Sequence, residues 1–307
     1  MRFVFNLYNV GLGNNGGSRT LIRCGEALSQ LGVDVVMFSN IKSRYSWHNP
    51  SGIKYVYSEK PPKCDVVCAT GYKSVNSTLK TRAKKKIYYI RGFEKWQADK
   101  DKLLESYRKL HCFVNSEWLQ QWLSRCGVHS EVIYPGLDLG FFENQNNDRE
   151  NIFGSLFHKK HKTKRHIDAQ AVANKTGYKL ELLNQDIKNA TPSGMQQWYN
   201  KLKIWFAPTE LEGLHNPPIE SSLCGCSLVC TDHPKSGMGD YAIHEKTALV
   251  YEARNIKKAS SYVNSLMDNE ALREKLNNNM VELLKNKIGT RKRNMSRFLE
   301  SIGEIKR

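Results

Sequence analysis

No stretch of the chain approaches the ~18 consecutive apolar residues that a membrane-spanning helix needs, so nothing in it is expected to span a bilayer. The start, MRFVFNLYNVGLG, has only a short apolar stretch that runs straight into glycines, without the length or small-residue end of a signal peptide. Acidic residues are scarce: 30 Asp and Glu face 47 Lys and Arg, for a formal net charge of +17. That excess favours an anionic partner such as nucleotide phosphates, nucleic acid or an acidic membrane surface. A solvated, Lys-rich surface is the plainer alternative. Eight cysteines are present, but Cys224, Cys226 and Cys230 lack zinc spacing and have no second pair at finger distance. Most cysteines sit in apolar runs such as CDVVCAT and SLCGCSLVC, as buried free thiols of a reducing cytosol do. No metal site is expected, and the chain reads as cytoplasmic. It also lacks internal repeats, low-complexity tracts and any standard nucleic-acid module.

What is present is a globular composition, with 40% hydrophobic residues in 307, enough for two domains of ordinary size. RFVFNLY (2–8) reads as a buried strand, GLGNNGG (11–17) as a loop, and the apolar spacing of Leu21, Cys24, Leu28 and Leu31 as a helix that Gly32 stops. VDVVMFS (33–39) follows as a strand, completing a βαβ unit and predicting a parallel sheet. Further strands are expected at 64–70, 85–90, 111–116 and 130–136, with a helix over 117–127. The polar stretch ENQNNDREN (143–151) reads as a linker. A second series then runs through strands at 151–157, 178–184, 203–209, 226–231 and 247–252, with helices near 165–175 and 193–202, into a helical, basic tail. The expected fold class is therefore α/β, with two parallel-sheet halves. Ligands of such sheets bind beyond the carboxyl ends of the strands, which predicts a cleft between the halves.

Gly11, Gly13 and Gly16 match G-x-G-x-x-G, a weak signal alone. The dinucleotide fingerprint also wants an acidic residue at the end of the second strand, where this chain has Ser39 and Asn40. Gly16 and Gly17, next to the helix start, better suit close backbone approach to a phosphate or sugar; an ordinary strand-to-helix turn is the bland reading.

The stretch KIWFAPTELEGLHNPPIESSLCGCSLVC is the most specific one in the chain. Pro217 and Pro218 are placed to start a helix ending near Gly225, with Glu220 in its first turn and Glu212 on the loop before it. Free N–H groups around Gly213 and the helix start favour anions, and carboxylates beside them accept bonds from hydroxyls. That combination suits a sugar nucleotide.

Glu212, Gly213, Leu214, His215, Asn216, Pro217, Pro218, Ile219 and Glu220 resemble the E-x7-E signature of retaining glycosyltransferases of GT-B architecture, the glycogen-synthase-like, group 1 superfamily. His215 stands where that family usually has glycine. IYPGLDLGFF (133–142), GSLFHKKHKTKR (154–165) and HPKSGMGDYAIHEKTALVY (233–251) resemble other segments of the family. The resemblance implies two Rossmann-like domains facing across a cleft. It divides the chain into an acceptor domain over 1–145 and a donor domain over 146–290, with a terminal helix at about 291–307 packing back on the first. It implies a nucleotide-diphosphate sugar as donor, no cofactor and no metal. It assigns Glu220 to the donor ribose, Glu212 to the sugar side, and Gly16, Gly17, Gly213, Leu214, His215 and Asn216 to the donor's surroundings. The family's diphosphate-holding arginine is replaced by Ser155, which passes that load to Lys164 and Arg165.

The basic stretch HKKHKTKRH (158–166) exceeds what one diphosphate needs. Three acceptors fit it: a glycan or lipid-linked glycan at an anionic membrane face, a modified DNA base, or another small molecule. A non-catalytic binding protein is disfavoured because both glutamates are present.

Overall fold

Short, uninterrupted apolar runs suit strands covered on both faces, the condition of a parallel sheet. The computed structural model describes residues 1–158, 162–184 and 191–304. The chain divides into two units: Met1–Gly136 with the tail from Gly289, and Leu137–Ile288.

The first unit runs through β1 (Arg2–Asn6), α1 (Gly16–Gln30), β2 (Asp34–Ser39), β3 (Ile53–Tyr57), β4 (Cys64–Ala69), α2 (Val75–Lys80), β5 (Ala83–Ile90), α3 (Lys100–Arg108), β6 (His111–Val114), α4 (Glu117–Arg125) and β7 (Ser130–Val132). Among the described residues these strands form one parallel sheet of order β3-β2-β1-β4-β5-β6-β7. The order reverses at β1, so the glycine loop that follows it lies at the switch point of this sheet. Helix α1 starts at Gly16, two residues before the expected Ser18, because the Asn15 side chain accepts from Ser18 N and caps it.

The second unit runs through β8 (Glu150–Phe157), α5 (His166–Thr176), β9 (Lys179–Asn184), α6 (Pro192–Tyr199), β10 (Leu202–Ala207), α7 (Asn216–Leu223), β11 (Ser227–Thr231), β12 (Leu249–Tyr251), α8 (Ile256–Asp268) and α9 (Glu270–Leu283). Its sheet, again parallel among the described residues, has the order β12-β11-β10-β8-β9. The presumed linker is bound into this unit before β8 begins. Gln145 N donates to Asn200 Oδ1 at 2.8 Å, and Gln196 Nε2 donates to Phe141 O at 2.6 Å.

Helix α10 (Arg291–Glu304) belongs to the first unit. Its Phe298 ring meets Phe113, Tyr89 and Phe3 with centroids 4.8, 5.8 and 5.9 Å away. Arg291 and Asn294 donate to the carbonyls of Pro135 and Tyr134. Among the described residues no helix is long and apolar enough to cross a membrane.

Candidate functional site

Strands β8 and β10 are hydrogen-bonded neighbours, so the loops leaving their carboxyl ends lie side by side. On the way from β8 into α5 the chain forms a 3-10 turn at Lys162–Lys164. After β10 it carries TELEGLH into α7. Glu210 N donates to Thr163 O at 2.9 Å and ties the two loops together. Lys164 Nζ then meets the Glu212 carboxylate, with both side chains largely buried. Burial pushes the Lys164 ammonium down to about 7, while the touching carboxylate favours the charged form and opposes that.

His215 sits beside this pair, with its Nε2 3.9 Å from Glu212 Oε1. Its backbone is left-handed, at φ 63°, where it caps α7. A non-glycine residue held there costs about 1–3 kcal/mol and persists only because its surroundings fix it. The Tyr241 hydroxyl is one such constraint, donating to His215 O at 3.0 Å. The side chain is 2% exposed, and neither ring nitrogen has a hydrogen-bond partner. Burial, helped by the Lys164 charge, holds the imidazole well below its usual range and keeps it neutral.

The loop has little room to move. Glu212 N donates to Lys235 O at 3.1 Å and Gly237 N to Gly213 O at 2.8 Å. A Cβ on Gly237 would lie 2.0 Å from Gly213 O and 2.8 Å from Leu214 Cα, both backbone atoms that cannot swing aside. Gly237→Ala is therefore expected to displace the Glu212–His215 loop, with a loss of about 1–3 kcal/mol in urea unfolding, in the range of an overpacked site. An unchanged unfolding curve would show that the loop tolerates the added methyl group.

One expectation changes. Glu220 stands in the second turn of α7 and not the first, because the helix already starts at Asn216, ahead of the two prolines; it is 6% exposed. The guanidinium of Arg165, expected with Lys164 on a diphosphate, donates twice to Asp168, Nη2 at 2.7 Å and Nε at 3.1 Å, and lies 3.7 Å from Glu210. The hydrogen bonds to Asp168 raise the Arg165 pKa, and the arginine braces the start of α5.

Leu214 is buried beneath the loop, and Asn216 is the first residue of α7. Ser155 lies inside β8, fully buried, its Oγ without a hydrogen-bond partner. Gly16 and Gly17 are in the first unit, where Gly17 O accepts from Arg91 Nη1 at 2.6 Å. Of the basic stretch, Lys159, Lys160 and His161 fall outside the described residues. Glu94 is buried and held by the Tyr88 hydroxyl and Tyr72 N; burial pushes its carboxyl up to about 7. Reading the sequence missed Arg254, which donates to Glu210 from Nε at 3.0 Å and Nη2 at 2.9 Å and so anchors the loop from outside. No local pattern joins those two residues. All eight cysteines are free thiols. Among the described residues no three His, Cys, Asp or Glu side chains converge as metal ligands would.

Residues 175–282 match the family described as Glycosyl transferases group 1. Over 263 residues the chain is 24% identical to CapM of Staphylococcus aureus, a capsular polysaccharide biosynthesis glycosyltransferase, in an alignment covering 78% of this chain and 63% of CapM. The chain thus spans less than two thirds of that relative's length. Sucrose-phosphate synthase of Thermosynechococcus elongatus superposes with a TM-score of 0.78 at 11% identity, over 99% of this chain and 98% of that one. Anabaena HepE, solved with UDP, superposes at 0.75 with 11% identity, over 99% and 100%. The two parallel-sheet units thus have the GT-B architecture of those structures, and the matched segment contains the Glu212–Glu220 loop and helix. The chain thus has the GT-B fold, and the segment of its second unit over 175–282 is similar to the glycosyl transferases group 1 family.

Proposed function

We propose that the protein moves a sugar from a nucleotide-diphosphate sugar to a glycan or lipid-linked glycan, with retention of anomeric configuration and without a metal. The observation that carries this is the cluster of Lys164, Glu212 and His215 at the carboxyl ends of β8 and β10, in the unit that contains the matched segment 175–282. In the transfer the acceptor hydroxyl bonds to the sugar's anomeric carbon as the bond to the diphosphate breaks, and its proton leaves on the departing oxygen. Negative charge grows on the diphosphate, and the Lys164 ammonium with the N–H groups opening α7 would stabilise it. Glu220 would hold the ribose hydroxyls and Glu212 the sugar side. A neutral imidazole with both nitrogens unpartnered offers one donor and one acceptor, which fits a sugar hydroxyl at His215.

Relatives support the donor class. HepE has been solved with UDP-glucose, and TarM of S. aureus with UDP and α-GlcNAc-glycerol. CapM's capsular polysaccharide role supports a glycan acceptor. The test is a thermal-shift panel of UDP-, GDP-, ADP- and dTDP-sugars. One base is expected to stabilise the chain, by about 2.7 kcal/mol at a hundredfold excess over Kd, and Glu220→Ala to lose most of that. No stabilisation by any donor, together with tight and salt-sensitive DNA binding, would overturn the proposal.

A further inference from the structure

The first unit has a cavity of about 410 Å³ between β3 and the loop that precedes it. Its size falls within the roughly 300–1,000 Å³ of small-molecule sites. Three tyrosines form its faces. Tyr55 and Tyr57, two apart on β3, point to the same side of the sheet, and Tyr45 comes from the loop. Tyr45 and Tyr55 pack partly against the core of the unit, which fixes their rings. Burial pushes both of their hydroxyls up to about 12, so they stay un-ionised at neutral pH. Tyr57 is 44% exposed at the mouth, and its hydroxyl accepts from Ser43 N at 3.1 Å.

Hydroxyl, amide and imidazole groups complete the lining. Ser43, Ser46 and Asn49 contribute polar groups, and His48 is held by the Tyr45 hydroxyl at 2.7 Å from Nδ1. Burial lowers the His48 pKa, which favours the neutral ring. No Lys, Arg, Asp or Glu is among the lining residues, in a chain with a formal net charge of +17. A phosphate, a phospholipid headgroup or a nucleic-acid backbone would need a cation there. Rings to cover apolar C–H faces, beside scattered donors and acceptors, fit a neutral sugar.

The cavity wall is also tied to the glycine loop. Asn14 and Ser46 exchange two hydrogen bonds, at 2.8 and 3.0 Å, and Arg44 N donates to Leu12 O at 2.9 Å. We infer that this cavity is a saccharide subsite that seats one neutral sugar unit of the acceptor glycan. That the sugar belongs to the acceptor depends on the proposed transferase activity; that the cavity takes a neutral sugar does not.

The experiment uses the full chain, with methyl α-glucoside, methyl β-galactoside, N-acetylglucosamine and maltose as probes. Saturation-transfer NMR detects binding and titration gives the Kd, in wild type and in Tyr57→Ala, Tyr57→Phe and Asn49→Ala. At least one probe should bind, Tyr57→Ala should weaken it about tenfold, and Tyr57→Phe should retain most of the affinity because the ring remains. Asn49→Ala, which leaves every ring in place, should weaken it severalfold. UDP affinity, measured in parallel, should be equal in all four proteins. Binding of none of the probes, or equal binding by wild type, Tyr57→Ala and Asn49→Ala, would overturn the assignment. If wild type binds a sugar through Tyr57 but binds no nucleotide, the subsite stands and the transferase reading fails.

Discussion

Replacing Lys164 by methionine is expected to lower kcat/KM for sugar transfer by about 10²–10³, in the range seen when one preorganised group facing developing charge is removed. The aliphatic stem keeps its packing, the two loops stay tied through the Glu210 N to Thr163 O bond, and the Glu212 N to Lys235 O bond still holds the second of them from its other side. The loss should therefore fall mainly on kcat. Nucleotide-release kinetics with a parallel circular-dichroism melt separate the two effects; a fall below about threefold would remove Lys164 from the chemistry. The pH profile carries the same argument. In the proposed transfer the working form is the ammonium, so activity should be lost as pH rises through the Lys164 pKa. Burial lowers that pKa from 10.5 toward about 7, and the Glu212 carboxylate holds it above that lower figure. The alkaline limb of the wild type should then lie between those two values. Lys164→Arg should keep part of the activity and lose the limb, since a guanidinium stays charged throughout.

How far the residues foretold this arrangement depends on how local each cause is. Strands β1, β2, β4 and β10 are apolar runs flanked by turns, and their chemistry is visible in the runs themselves. Strand β3 was not expected. It is an edge strand, half-buried, and IKYVY mixes a lysine with its apolar residues, although its aromatic and β-branched content was a usable signal. Helices α2 and α3 were passed over too, although Asp99 caps α3 with its side chain on Lys102 N. At the site, Glu212, His215 and Glu220 were legible because one short stretch holds them. The Lys164–Glu212 pair was not, because it exists only where β8 and β10 run side by side. The brace between Arg165 and Asp168 did have a local signal, since Asp168 lies one helical turn on as an i,i+3 partner.

Phe298→Ala is expected to destabilise the first unit by about 3–5 kcal/mol, the usual loss for a buried aromatic reduced to alanine. Phe298 is 1% exposed, and it lies in the tail, although the rings around it come from β1, β5 and β6. Helix α10 thus closes a core begun almost three hundred residues earlier, and it shares that core with the α1 face that follows the glycine loop. The loss should appear in urea unfolding as an early transition of the first unit, with the second unit's transition unmoved, since Phe298 belongs to the first unit's core cluster. Leu299→Ala, at a partly buried neighbour on the same helix, should cost less. A single transition shifted as a whole would mean that the two units unfold as one. An unshifted curve would mean that α10 is not needed to complete the first unit's core.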